Sequence, residues 1–541
     1  MRTGHDSSIV LALAAAAGIA AAWPPLHLIV VGANLPTYFH ENIGYRFFWV
    51  LRLLDGAPGD FVHPGQGVLM SLIQAVYYLI GKWLGLDLWG QISLFGRLTL
   101  GVAAVAMLLL ALVIACDRRL DVGVRAALVT APLVMGLGHT HIFTYDVYPD
   151  YGAYSKPLIL LFVWRWLARG GWDGTESPRA ACELGILGGL LGALKVNYAI
   201  FPLGLLLASL AVTAARRPRA AVGSGALAAA TGAATMGCLF ILHYGGRLEP
   251  VLRFFAVLRT FSRSLAAAPG IVIDPFASWS VNNYANLAWL AAALTVLCLL
   301  LVAQRRAKPL FCAFALAALG AAQVAMAYWR GGGASYFDAV VALGALSVVA
   351  AASFDAARAR KLASLTLAGV FVVWPAAWVV SHWQVYETDN GLLPRLELAG
   401  DWQRGLYDWN LARHLPVYVL MPSNNFLQGS IEDMMLRGMT NFSEDWYAAN
   451  RNPTREALFP AFHIVSYNML DMVRPPPRYV FMWVTGDRPF PLVDQSALER
   501  QNREVDRLLS GRRREECYRA RQAITGAEIV SCVVGPPDNR P

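Results

Sequence analysis

The chain of 541 residues is 56% hydrophobic and only 15% charged, with a mean hydropathy of +0.44. This balance excludes an ordinary soluble globular domain and indicates an integral membrane protein. The formal net charge of +9 would suggest nucleic-acid binding in a soluble protein. In a membrane protein, basic residues instead report which loops face the cytoplasm, so we expect no nucleic-acid partner.

The chain begins with an apolar run at residues 8–32, which is too long for a signal-peptide core and lacks a convincing cleavage site. We interpret this run as a retained helix that leaves Arg2 inside and Asn34 outside. The segment 33–92 is then the first outer loop. Within it, residues 68–85 mix apolar residues with Gln74, Tyr77 and Lys82, a pattern that favours a helix lying in the membrane interface.

Clusters of Lys and Arg predict the topology, because short basic loops stay on the cytoplasmic side. All five clusters become cytoplasmic only if residues 68–85 stay on the outer surface and 93–116 form the second span. The clusters lie at 117–125, 165–179, 216–219, 305–308 and 358–361. The N-terminus is therefore predicted to be cytoplasmic.

The remaining apolar runs complete a bundle of about eleven transmembrane helices. An odd number of spans places the tail on the same outer side as the first outer loop. The later spans are predicted at 126–143, 157–167, 182–194, 198–214, 221–242, 287–303, 310–328, 339–352 and 362–382. The chain thus divides into a membrane module, residues 1–383, and an extracytoplasmic domain, residues 384–541.

The tail has the composition of a small α/β domain that is large enough for its own core. Runs of β-forming residues predict strands at 416–421, 478–484 and 528–534, with a helix between the last two that starts at a Ser496–Glu499 capping box and ends at Gly511. Cys517 and Cys532 also lie here and can form a disulfide if the compartment is oxidising. The other five cysteines fall inside apolar spans, where they are ordinary packing residues.

The predicted outer loops contain the candidate catalytic and binding residues. Carboxylates at the edge of a bilayer are costly, and Glu41, Asp55 and Asp60 all occur in the first outer loop. Asp55 and Asp60 flank glycines and a proline, so turn formation explains them better than function. A second acidic stretch, YDVYPD, occupies residues 145–150, and Lys195 stands alone between two spans.

Four of these features, in this order, resemble the GT-C superfamily of membrane glycosyltransferases. The likeness is closest to the bacterial protein O-mannosyltransferases and 4-amino-arabinose lipid A transferases. The features are the acidic Glu41, the His63-Pro64-Gly65 turn before an amphipathic run, the acidic stretch 145–150, and the glycine-rich segment GILGGLLGALKVNY at 185–198. Here Gly65 replaces the family's second proline, and His40-Glu41 replaces an Asp-Glu pair.

The resemblance implies a GT-C-like bundle with outer juxtamembrane helices. It also implies transfer of a sugar, with inversion, from a polyprenyl-phosphate donor to a lipid, glycan or protein acceptor at the outer face. The host membrane is then a bacterial inner membrane and the tail is periplasmic. Such transfer needs a carboxylate to take the proton of the attacking hydroxyl, and cations to stabilise the departing phosphate.

Glu41 is the predicted base; its alternative role is that of a solvated glutamate or an ion-pair partner of Arg46. Asp150 and Asp146 are predicted to orient the acceptor or to share the base role, although either also suits a turn beside Pro149.

Predicted contacts of the substrate and its phosphate are Lys195, Arg253, Arg259, Arg263, Arg330, His63 and Tyr148. Four of these cations have an alternative role: Lys195 can extend to lipid headgroups, and the arginines spaced along 253–263 can bind anionic lipids.

The histidines at 139 and 141 and His63 raise a metal hypothesis, but the His-Thr-His spacing does not match a zinc signature. A divalent metal is therefore the less favoured interpretation and no cofactor is assigned. The alternative function is that of a transporter or a flippase for lipid-linked glycans without transferase chemistry. Against ion-coupled transport, the charged residues lie near the predicted span ends rather than in mid-span.

Overall fold

The computed structural model describes residues 12–13, 15–19, 67–86, 88–135, 151–249, 251–252, 254–255, 281–330 and 333–381 of the membrane module. In the tail it describes residues 409, 412–413, 415, 417–420, 462–465, 478–485, 503, 505–506, 509–521 and 528–537.

The described part of the membrane module is almost entirely helical. Its helices are α1 (Leu69–Trp83), α2 (Leu88–Cys116), α3 (Val122–Met135), α4 (Tyr151–Ala168), α5 (Pro178–Leu194), α6 (Ile200–Ala214), α7 (Pro218–His243), α8 (Val281–Ala303), α9 (Ala307–Arg330), α10 (Gly333–Ala352) and α11 (Ala357–Ser381). Every span predicted from residue 93 onward falls on a helix where it is described; residues 136–143 and 382 of these spans lie outside the described residues. The run 68–85 contains helix α1. The predicted first span lies mostly outside the described residues.

Three helical segments in the described ranges are long and apolar enough to cross a membrane: Val196–Ala214, Pro218–His243 and Ala307–Met326. Four more apolar helical segments are shorter. Helix α10 forms the centre of the bundle, because residues 339–351 are all buried. These features support a membrane protein, whereas the count of about eleven spans stays a prediction.

The loops that carry the basic clusters lie together at one end of the bundle. The Asp173 carboxylate accepts a hydrogen bond from Arg216 at 3.0 Å and also pairs with Lys308, so three loops meet there. Arg306 pairs with Asp355 at 3.3 Å, which adds a fourth loop.

The loop at 117–121 joins this end through Trp164, whose Nε1 donates to Asp117 Oδ2 at 2.8 Å. The sequence-based prediction that the clusters share one side agrees with these contacts. We refer to this end as the basic end.

The tail contains a five-stranded sheet of β1 (Val417–Leu420), β2 (Phe462–Val465), β3 (Tyr479–Thr485), β4 (Arg512–Arg521) and β5 (Glu528–Pro537). The order is β2-β1-β3-β5-β4, with β1 parallel to β2 and β3, and β5 antiparallel to β3 and β4. Strands β1, β3 and β5 confirm the three predicted strands. Strands β2 and β4 were not predicted.

The predicted disulfide is present. Cys517 on β4 lies directly opposite Cys532 on β5, and the two sulfur atoms are bonded. Gly511, the predicted end of the preceding helix, has φ of 70°, the left-handed conformation that glycine adopts most easily. The proposed capping box lies outside the described residues.

Candidate functional site

Gly67 joins the first outer loop to the end of helix α5. Its amide donates a hydrogen bond to the carbonyl oxygen of Leu194 at 3.0 Å. A Cβ atom at this position would lie 2.0 Å from the carbonyl oxygen of Ala193, so only glycine allows the approach. The chain is therefore fixed beside Lys195 only four residues after His63, which itself lies outside the described residues.

Lys195 ends helix α5 because its backbone leaves the helical region, with φ of −160° and ψ of 127°. The side chain is only 5% exposed, and its ammonium lies 5.5 Å from the centroid of the Tyr198 ring. The negative end of the helix dipole and the aromatic face both favour a cation here. Burial in protein disfavours the alternative that Lys195 reaches out to lipid headgroups; its contact with phosphate stays a prediction.

Helix α7 and the segment after it complete the surroundings of Lys195. Val68 and Ala193 belong to one buried cluster with Phe240, Tyr244 and Phe254, joined by Val251. Three separate segments that are predicted to face outward thus converge: the middle of the first outer loop at Val68, the turn at Lys195, and the start of the arginine-containing stretch. Arg253 lies within this stretch but outside the described residues. We call this convergence the outer cluster.

Helix α1 buries three polar side chains and exposes several large apolar ones. Ser71, Gln74 and Tyr77 are buried together with Met70 and Ala75, whereas the exposed side carries mainly apolar residues beside Lys82. The exposed apolar residues are Val76, Leu79, Ile80 and Trp83 of the helix and Leu84 directly after it. A helix in contact with water would have the opposite arrangement. The observed arrangement fits a helix with lipid on one side and a polar protein interior on the other.

A hydrogen bond between two tyrosines connects helix α1 to helix α4. The hydroxyl oxygens of Tyr77 and Tyr154 are 2.5 Å apart and both side chains are buried. Burial raises the pKa of Tyr77 above its ordinary value, which keeps the hydroxyl protonated. Helix α4 begins at Tyr151, directly after Asp150 in the chain, so this contact anchors the helix that follows the acidic stretch.

Several predicted site residues lie outside the described residues, so their predicted roles stay untested. These are Glu41, His63, Asp146, Tyr148, Asp150, Arg253, Arg259 and Arg263. Arg330 is the last residue of helix α9, and its side-chain position is not described. No group of three potential metal ligands occurs among the described residues.

The sequence did not single out Ser71 or His243, which are both buried beside the outer cluster. His243 is the last residue of a long apolar helix. A histidine at the end of a span is the one feature of the sequence that could have marked it as a site residue. For Ser71 no such signal exists, because only the packing shows which side of helix α1 is buried.

Comparisons of the chain with protein-family models, curated proteins and solved structures gave no match. A functional assignment therefore has to come from the resemblance in sequence and from the geometry of the outer cluster.

Proposed function

We propose that the chain is a GT-C-type glycosyltransferase that moves a sugar from a polyprenyl-phosphate donor to an acceptor at the outer face of the membrane. The observation that supports this most is the convergence at the outer cluster. The His63-containing loop, the glycine-rich helix ending at Lys195, and the arginine-containing stretch are far apart in sequence. Their described parts nevertheless pack together, as a shared substrate site requires.

The proposed reaction is a single displacement. The acceptor hydroxyl loses its proton to Glu41, and its oxygen forms a bond to the anomeric carbon of the sugar. The bond between that carbon and the phosphate oxygen breaks with inversion, and polyprenyl phosphate leaves. Asp150 and Asp146 orient the acceptor. Buried cations stabilise the charge on the leaving phosphate, and Lys195 is the described candidate for that role.

The proposal includes the finer topology: about eleven spans, a cytoplasmic N-terminus and a periplasmic tail in a bacterial inner membrane. The shared basic end supports this arrangement, because one side of the bundle collects the arginine loops. The outer cluster then faces the periplasm, where lipid-linked sugars are consumed.

Transfer of radiolabelled sugar from a polyprenyl-phosphate donor, measured in membranes that contain the chain, tests the proposal. We expect transfer by the wild type and at least a hundredfold loss in Glu41→Gln, since general base catalysis contributes about 10²–10⁴-fold. Lys195→Met should also lose transfer. Lys82→Met is the matched control, because Lys82 is an exposed lysine on helix α1.

Full activity in Glu41→Gln would refute the base assignment. Equal losses in the two lysine variants would refute a special role for Lys195. A wild type that moves labelled lipid-linked sugar across the membrane but never transfers the sugar would identify the alternative, a flippase.

A further inference from the structure

Two buried polar side chains near the outer cluster have atoms with no hydrogen-bond partner among the described residues. They are the Oγ of Ser71, in a residue 1% exposed, and the Nδ1 of His243, in a residue 6% exposed. Buried polar atoms in folded proteins are nearly always hydrogen-bonded, so an unpartnered one needs an explanation such as a bound ligand or water.

Both side chains flank the same contact between helices α1 and α7. Val68, one turn before Ser71, packs in a cluster with Phe240 and Tyr244. His243 follows Phe240 by one helical turn, and its ring lies edge-on to that of Tyr244 with centroids 4.8 Å apart. Two unpartnered groups on two different helices thus occur at one junction.

Lys195 belongs to the same junction. Val68 directly follows Gly67, whose amide bonds to Leu194, the residue before Lys195. Ala193 packs in the cluster with Val68. Chain segments that carry a buried ammonium, a hydroxyl and an imidazole thus meet at this junction, whose cluster is rich in aromatic side chains. These are three groups that can donate hydrogen bonds to an anion, and low polarity around them strengthens each bond.

We propose that Ser71 and His243 bind the phosphate group of the lipid-linked donor together with Lys195. This inference rests on the proposed function and adds two binding residues to it. The hydroxyl of Ser71 and the Nδ1–H of His243 donate to phosphate oxygens, and ligand entry supplies the hydrogen bonds that both atoms lack. A buried water is the structural alternative for the same two atoms.

The test is thermal unfolding of the purified full chain in detergent, with and without undecaprenyl phosphate. Undecaprenol, which lacks the phosphate, is measured in parallel to separate the contribution of the prenyl chain. The wild type should gain Tm with undecaprenyl phosphate and clearly less with undecaprenol.

Ser71→Ala and His243→Phe should unfold, without ligand, at or above the wild-type Tm, because each removes an unsatisfied buried polar atom. Each should bind undecaprenyl phosphate about tenfold or more weakly than the wild type, so the Tm gain shrinks. His243→Leu is the second variant if phenylalanine does not fit.

Ser364→Ala is the matched control for Ser71→Ala. Ser364 lies on helix α11, is 1% exposed, and its Oγ also has no hydrogen-bond partner among the described residues. It sits in the half of helix α11 that begins beside the basic end, away from the proposed site. Its variant should keep the full Tm gain with undecaprenyl phosphate.

The possible failures are distinguishable. If the wild type gains no Tm from undecaprenyl phosphate, the proposed function fails. If the wild type gains Tm and the Ser71 and His243 variants gain as much, the two residues do not bind phosphate, and a buried water satisfies them.

Discussion

Replacing Gly189 with alanine tests whether helices α5 and α7 hold Lys195 in place through direct backbone contact. A Cβ atom at Gly189 would lie 2.5 Å from the carbonyl oxygen of Gly232 and 2.9 Å from the Cβ of Thr235. Ordinary contacts begin at 3.4 Å. The helices would therefore have to separate by roughly 0.5–1 Å, or the backbone would have to shift by a similar amount.

The change in the free energy of unfolding of Gly189→Ala is the sum of two opposing effects. Overpacking a close contact costs about 1–3 kcal/mol, and the higher helix propensity of alanine returns up to about 1 kcal/mol. The net loss in the free energy of unfolding is about 1–2 kcal/mol. With an unfolding entropy of about 2.1 cal/mol/K per residue, this corresponds to about 1–3 °C in Tm for a module of this size. Gly185→Ala should cost at least as much, because its Cβ would lie 2.4 Å from the carbonyl oxygen of Ala228.

Gly188→Ala provides the matched control. Gly188 directly precedes Gly189 in the same helix, and alanine raises the helix propensity equally at both positions. At Gly188, however, the added Cβ would lie 3.8 Å from the nearest atom, the Cβ of Pro202. Thermal unfolding of the purified variants in detergent measures the difference. Gly188→Ala should unfold at or slightly above the wild-type Tm, and Gly189→Ala below it. We call the close contacts of Gly185 and Gly189 with helix α7 the glycine seam. Equal Tm values for Gly188→Ala and Gly189→Ala would refute the view that the glycine seam sets the distance between helices α5 and α7.

Two further predictions concern the loop at the basic end and the tail. Hydrogen bonds from Arg119 lower the pKa of Asp117 to about 2, so the folded state holds the carboxylate charged. The stabilisation that the charged carboxylate gives to the folded state is complete above about pH 3.9, the pKa of Asp in an unfolded chain. This stabilisation is lost as the pH falls towards 2. Asp117→Asn should therefore unfold at a lower Tm than the wild type at pH 7, with the gap narrowing below pH 4. A Tm difference between the variant and the wild type that stays constant from pH 7 to pH 3 would contradict a role for the charged Asp117 carboxylate. The Cys517–Cys532 bond closes a loop of 15 residues, which corresponds to about 3 kcal/mol of stabilisation of the tail. A membrane-impermeant thiol reagent should label both cysteines only after reduction, and labelling of unreduced protein would contradict the bond.

The helices were predictable because long apolar runs leave few alternatives, and the described part of each predicted span after residue 93 lies on a helix. Strand β4 was not predictable in the same way. Its sequence, RRREECYRAR, is too charged to suggest a strand. The segment is nevertheless a strand because it pairs with β5 along its backbone and through the disulfide. In addition, Glu515 forms an ion pair with Arg478 across the sheet. Local β-propensity does not include such tertiary contacts, so it could not predict this strand.

For the site, the resemblance pointed to candidate residues in several loops, but the sequence does not show which of their atoms are buried. The resemblance pointed to Lys195, and its place beside the first outer loop follows from the Gly67 contact. Its burial depends on how helices α5 and α7 pack, which no local pattern specifies. The same holds for Ser71 and His243, since burial of a polar side chain is decided by its neighbours.

Helix α5 connects the basic end of the bundle to the outer cluster. Near its start, Glu183 pairs with Arg165 and Arg169 at the basic end, and after its last residue Lys195 enters the outer cluster. Its 17 residues span about 25 Å, close to the thickness of the hydrocarbon core. The direction of the helix puts its carbonyl end at Lys195, which favours a buried cation at that end alone. Because the glycine seam fixes this helix against α7, the charge that would stabilise a leaving phosphate is held in position before substrate arrives, which is the condition for electrostatic catalysis.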